Sequence, residues 1–251
     1  MAALGLSAAA HAAEVSVAVA SNFSAPLQRL SQAFERATGH RVRAAVGATG
    51  ALVAQVRHGA PFQVLLLADD RSAALLEADG LAVPGTRFVY ATGRLVLWSA
   101  DAALVDGQGR VLGTPAPSAS TSSPLQLPLR LAVANPKTAP YGAAALQTLE
   151  RLGVTARWKP HLVQGENIAQ AHQFVASGNA GLGFVAMSQV MVDGRLAQGS
   201  AWVVPAHLHD PLRQEAVLLR KGEREPAATA LLAFLKTDEA RAIIQAYGYE
   251  P

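Results

Sequence analysis

Residues 15–23 read VSVAVASNF and run on into S-A-P at 24–26. A valine-rich run of strand length ends in Ser21 and Asn22, and beyond it Leu27, Leu30 and Phe34 recur at helical spacing. The stretch predicts a buried strand, a short polar loop and a helix start. The first N–H groups of a helix lack intrahelical partners and sit at the positive end of its dipole, which suits an anion. The same order of residues recurs at GATG (47–50), APYG (139–142) and GENIAQ (165–170). Four polar helix starts without a reactive nucleophile point to a protein that holds an anion and does not transform it.

The surrounding chain alternates strand and helix. A helix through Ala37 closes at Gly39; HRVRAAV precedes a helix near 51–58 that closes at Gly59; VLLLA (64–68) precedes one near 71–78 that closes at Gly80. Glycine just past a last turn is the expected left-handed cap, and this rhythm predicts an α/β fold with mainly parallel sheets. RFVYATGRLVLWSA (87–100) is too long and apolar for one ordinary strand and reads as a strand passing from a first domain into a second. Strands at 129–136, 181–187 and 201–205 and helices near 141–152, 167–177 and 187–195 would build the second. HLHDPLRQEAVLL (207–219) returns, and a last helical pattern over 226–246 shows Leu231, Phe234, Leu235, Ile243 and Ile244 on one face. The expected division is 14–91 with 206–251 as a discontinuous first α/β domain and 92–205 as the second, joined by a two-segment hinge.

Composition bounds the function. The 251 residues are 51% hydrophobic and 16% charged, with a net charge of +3 and scattered Lys and Arg, which argues against a nucleic-acid partner. Past the N-terminus, no apolar run reaches the about 20 residues a bilayer span needs. There is no cysteine, which excludes thiol catalysis, disulfides and Cys-ligated zinc. MAALGLSAAAHAA (1–13) has the small-x-small end of a secretory signal peptide, with cleavage expected after Ala12 or Ala13 and export to the periplasm. The Pro- and Ser-rich stretch 113–128 reads as a surface loop or insertion.

Each candidate residue has a structural reading beside the functional one. Ser21, Asn22 and Thr49 are either helix caps or anion ligands. Gly47 and Gly50 let the backbone around Thr49 approach closely. Tyr141, before a helix, either packs in the core with its hydroxyl on a backbone carbonyl or donates to a ligand. Asn167 is placed to cap a helix, which would leave the Ile168 N–H open in the first turn. Asp69 and Asp70 could ligate a metal or act in acid–base chemistry, but capping or a bond across the hinge accounts for them without further ligands. His207 and His209, in H-L-H-D, would face one way on a strand and are the other conceivable metal pair, with no third ligand at a recognisable spacing.

In this order, SNF, then GATG with A-L-V-A-Q-V and G-A-P-F, LLADD, RFVYATGRLVLWS, N-P-x-x-A-P-Y-G, ENIAQAH and GLGFVA, the motifs resemble those of the periplasmic molybdate-binding proteins of molybdate ABC transporters, within the type II solute-binding fold. The resemblance covers essentially all of 14–250. It implies an oxyanion site made by Ser21, Asn22, Thr49, Tyr141 and the backbone N–H of Ile168. It also implies molybdate or tungstate as ligand, no cofactor, no catalysis, a monomer, and a membrane permease as partner. Ala48 stands where members of the family often have serine, and Ala186 where many have tyrosine, so Tyr141 is expected to supply the phenol. The alternatives are a sensing domain for another small anion, against which the lack of a helix-turn-helix counts, and a metal-dependent enzyme using Asp69/Asp70 or His207/His209.

Overall fold

A computed structural model describes residues 12–113 and 129–251. The expected export signal therefore lies almost wholly outside the described residues, as does the Pro- and Ser-rich stretch from 114 to 128.

In the first part of the chain come β1 (Glu14–Ala20), α1 (Ser24–Thr38), β2 (Arg41–Gly47), α2 (Thr49–Arg57), β3 (Val64–Leu67), α3 (Asp70–Ala78), β4 (Phe88–Gly93) and β5 (Leu95–Ser99). There follow β6 (Leu131–Ala134), α4 (Pro140–Arg151), α5 (Thr155–Trp158), β7 (Leu162–Gly165), α6 (Ile168–Ala176), β8 (Leu182–Ala186) and α7 (Met187–Val190). The remainder is β9 (Met191–Val192), β10 (Arg195–Leu196), β11 (Ser200–Val203), β12 (Leu212–Leu218), α8 (Pro226–Phe234) and α9 (Asp238–Ala246).

Two five-stranded sheets carry the fold, in the orders β2-β1-β3-β12-β4 and β11-β5-β8-β6-β7. In each, four of the five strands point the same way and one is reversed: β12 in the first, β5 in the second. The reversed strand is in both cases the one that has just crossed from the other sheet. The stretch 87–100 is two strands and not one continuous strand: β4 pairs with β12 in the first sheet, Arg94 interrupts it, and β5 opens the second.

Strand alternation divides the core of the first sheet. Val15, Val17, Val19, Val64 and Leu66 pack toward α1, α8 and α9 with Phe23, Phe34 and Leu231, while Ala18, Leu65 and Leu67 pack toward α2 and α3 with Leu52, Val53 and Leu76. A strand covered on both faces reads as a continuous apolar run, which is why VSVAVA and VLLL carry no polar alternation. The second sheet has one cluster, with Trp98, Trp158 and Phe184 among its fully buried side chains. Among the described residues, no helix is long and apolar enough to cross a membrane.

Three expectations are corrected. The helix near 187–195 stops at Val190, and the chain turns through Asp193 (φ 47°) and Gly194 (φ 76°) into the antiparallel pair β9–β10. Two consecutive left-handed residues are what a tight hairpin turn requires, and Asp-Gly supplies them. The pattern over 226–246 is two helices, because the Thr237 hydroxyl accepts the Ala240 N–H and starts α9 afresh. His207 and His209 do not share a strand face: the first lies in a single 3-10 turn, Ala206–Leu208, and the second just after it.

Candidate functional site

The C-terminal ends of two parallel strand pairs face each other. Ala20 of β1 registers with Gly47 of β2, and Ala134 of β6 with Gly165 of β7. Each of these strands leads into a helix start: a 3-10 turn at Ser21–Phe23 running into α1, then α2, α4 and α6. Ligands of open α/β sheets bind outside the carboxyl ends of strands for this reason.

Ser21, Asn22, Thr49, Tyr141 and Ile168, the five residues expected from sequence, line one cavity of about 10 Å3, with Ala20, Gly47, Ala48, Ala68, Ala139 and Pro140 completing its wall. Among the described residues, no charged side chain lines it. The two halves touch around it, where the Gly50 N–H donates to the Thr138 carbonyl at 2.8 Å.

The donors can be traced one by one. Ser21 and Thr49 do not act as side-chain caps. The Thr49 Oγ1 accepts the Ala68 N–H at 3.2 Å, which leaves its own proton to donate. Asn167 does cap α6, accepting the N–H groups of Ala169 at 3.0 Å and Gln170 at 3.1 Å, so the Ile168 N–H keeps no intrahelical partner. Pro140 opens α4 without an N–H of its own, and Gly142 lets that helix seat against β6, since a Cβ there would overlap the Ala134 carbonyl.

Tyr141 does not send its hydroxyl to a carbonyl. The Tyr141 Oη is buried without a hydrogen-bond partner, lodged where a side chain on Gly93 would otherwise sit. Burial, and then the neighbouring Tyr249 and Tyr90 phenols, push its pKa well above the usual value, so it is a neutral donor. An unpaired buried hydroxyl costs about 1–3 kcal/mol, a cost an anionic acceptor would relieve.

Asn22 is committed elsewhere. Its Nδ2 donates to the Gln214 Oε1 at 2.6 Å and to the Tyr249 Oη at 2.9 Å, which uses both side-chain protons. Gln214 reaches it because β12 is bulged between Gln214 and Glu215. Sequence reasoning missed Gln214, Ser188 and Tyr249. Ser188 and Tyr249 approach Asn22 from 166 and 227 residues away, with no local signature.

The acids and histidines proposed as alternatives do other work. The Asp69 carboxylate caps α3 through the Ser72 N–H at 2.6 Å, and Asp70 pairs with Arg213 of β12 at 2.9 Å. His207 is exposed, and the His209 Nδ1 lies 2.7 Å from the Asp210 carbonyl. Among the described residues, no three His, Asp or Glu side chains could together hold a metal ion.

The profile of the family described as bacterial extracellular solute-binding protein matches residues 15–250. The chain is 53% identical over 244 residues to the molybdate-binding protein ModA of Azotobacter vinelandii, covering 97% of this chain and 92% of that one. It is 46% identical over 246 residues to the ModA of Rhodobacter capsulatus, covering 98% and 92%. The solved structure of an Azotobacter vinelandii periplasmic molybdate-binding protein superimposes with a TM-score of 0.86 at 37% identity, covering 94% of this chain and 99% of that one.

Proposed function

The chain belongs to the bacterial extracellular solute-binding protein family, and we propose that it captures molybdate, or tungstate of nearly the same size, and hands it to the permease of an ABC transporter. One observation carries this reading: four helix starts, two from each sheet, converge on a cavity with hydroxyl and N–H donors and no charged side chain. The protein is a binding component and not an enzyme, and its site needs no cofactor. Its near full-length ModA relatives support the choice of oxyanion.

The ligand set is Ser21 and Thr49 through their hydroxyls, Asn22 and Ile168 through backbone N–H groups, and Tyr141 through its phenol. Hydrogen bonds to an ionised acceptor contribute about 1.5–3 kcal/mol each, and helix dipoles add to them. Four or five such bonds sustain a submicromolar dissociation constant, about 8 kcal/mol after association costs. Sulfate is rejected by size: a rigid ring of donors cannot all reach a smaller ion, and each missed bond leaves a buried group unpaired.

The two sheets support a first domain, expected at 14–91 with 206–251, and a second, expected at 92–205, with first-sheet pairing carried on to Gly93, so the hinge lies where β4 passes into β5 and where β11 leads to β12. Closure of that hinge desolvates the anion. Export to the periplasm, action as a monomer and the absence of a nucleic-acid partner complete the proposal. Calorimetric titration with molybdate, tungstate, sulfate and phosphate tests it: the first two should bind at one site per chain, and equal binding of sulfate would defeat the size argument.

A further inference from the structure

Behind the cavity, one short helix grips both of its walls. Adjacent side chains of α7 reach opposite halves: the Ser188 Oγ donates to the Asn22 carbonyl at 2.7 Å, and the Gln189 Nε2 donates to the Ile168 carbonyl at 3.1 Å. Asn22 follows β1 of the first sheet, Ile168 follows β7 of the second, and both residues line the cavity. α7 itself follows β8 of the second sheet, so the Gln189 bond lies within one half and the Ser188 bond crosses between halves.

The crossing bond is buried and braced. The Tyr249 Oη lies 3.0 Å from the Asn22 carbonyl and 3.2 Å from the Ser188 Oγ, and it accepts from the Asn22 Nδ2. The Tyr249 ring packs edge-on against Phe23 with centroids 5.4 Å apart. The distances allow a closed circuit: Ser188 gives its proton to the Asn22 carbonyl, Asn22 gives one to Tyr249, and the Tyr249 proton has the Asn22 carbonyl and the Ser188 hydroxyl in reach. Neither Ser188 nor Tyr249 lines the cavity.

We propose that α7 is a closure clip: the Ser188 bond to the Asn22 carbonyl forms as the halves meet and lengthens the residence of the bound anion, and Tyr249 is the residue that positions it. This rests on the oxyanion reading above. Because the bond forms after the anion has entered, it acts on dissociation and leaves association alone.

The test is stopped-flow measurement of molybdate association and dissociation in the wild type, Ser188→Ala, Tyr249→Phe and the double variant. Ser188→Ala should dissociate molybdate about tenfold faster, the equivalent of one buried hydrogen bond, with association within about twofold of wild type. Tyr249→Phe, which keeps the ring, should move dissociation the same way, and the double variant should be no faster than the sum of a shared interaction allows, well short of the product of the singles. Unchanged dissociation in Ser188→Ala, or a loss carried by slower association, overturns the clip. A wild type that fails to bind molybdate overturns the proposed function separately. The clip is then judged by spin labels placed one on each half of the ligand-free protein: a more open Ser188→Ala supports it, and an unchanged distance overturns it.

Discussion

The two halves share a sheet plan but furnish the cavity differently. Each sheet sends two parallel strands into two helix starts, and each has a single reversed strand beside its edge. The first half brings the aliphatic hydroxyls of Ser21 and Thr49 to the cavity wall, Ser21 beside an Asn22 that is tied down by Gln214 and Tyr249. The second half brings Ile168 and the Tyr141 phenol to it, and among the described residues no side chain or backbone group meets that hydroxyl at hydrogen-bond geometry. One wall is thus preset by its own hydrogen bonds, and the other holds a donor left unsatisfied within the protein. The difference teaches that the unsatisfied polar group is placed where the ligand, and not the fold, is to complete it.

If both walls hold one anion, ligand should stabilise the whole molecule. Binding confined to the native state adds about 4 kcal/mol at a thousandfold excess over the dissociation constant. Thermal unfolding with millimolar molybdate should shift upward by several degrees as a single transition, with little shift in sulfate. A shift confined to one part of a split transition would mean that one wall binds alone.

Removing single donors separates the walls. Tyr141→Phe, Ser21→Ala and Thr49→Ala should each weaken molybdate binding by about 1–3 kcal/mol in calorimetry. They should differ without ligand. Thr49→Ala also takes the acceptor from the buried Ala68 N–H and should lower the ligand-free melting temperature, whereas Tyr141→Phe deletes an unpaired hydroxyl and should leave it unchanged or raised.

The pH response follows from the phenols. Burial pushes the Tyr249 pKa up to about 12, and burial and the neighbouring phenols raise Tyr141 as well, so both donors stay protonated at neutral pH. Affinity should be flat from pH 6 to 8. The folded state holds the Tyr249 proton more tightly than the unfolded chain, whose tyrosines titrate near about 10. Its stabilising contribution is therefore complete below that value and lost as pH rises toward about 12, and denaturant titrations should show stability falling only in that alkaline window. A tenfold loss of affinity through about pH 6.5 would instead place a protonated histidine at the anion. Smallest of all, His207→Ala and His209→Ala should leave molybdate affinity unchanged.

The helix starts were legible because each is a local pattern: an apolar strand, small or polar residues, then helical spacing. SNF, GATG, APYG and GENIAQ need no knowledge of distant contacts, and the family resemblance placed ligands on the same positions. The capping of α6 by Asn167 was readable for the same reason. Local signals also mark the hairpin turn at Asp193-Gly194 and the helix start at Thr237, which Asp238 and Glu239 follow. What stands behind the site was not legible. Gln214 and Tyr249 meet Asn22 across 192 and 227 residues, and a bulge in β12 aims the first of them, so only the folded chain brings them together.

The central claim is that one oxyanion is held between the two walls by neutral donors. Crystals grown with molybdate, with diffraction recorded at the molybdenum absorption edge, test this most directly. The account predicts a single strong anomalous peak in the cavity bounded by Ser21, Thr49, Tyr141 and Ile168, within hydrogen-bond reach of the Tyr141 hydroxyl. A peak beside His207, His209 or a surface arginine, with that cavity empty, would contradict it.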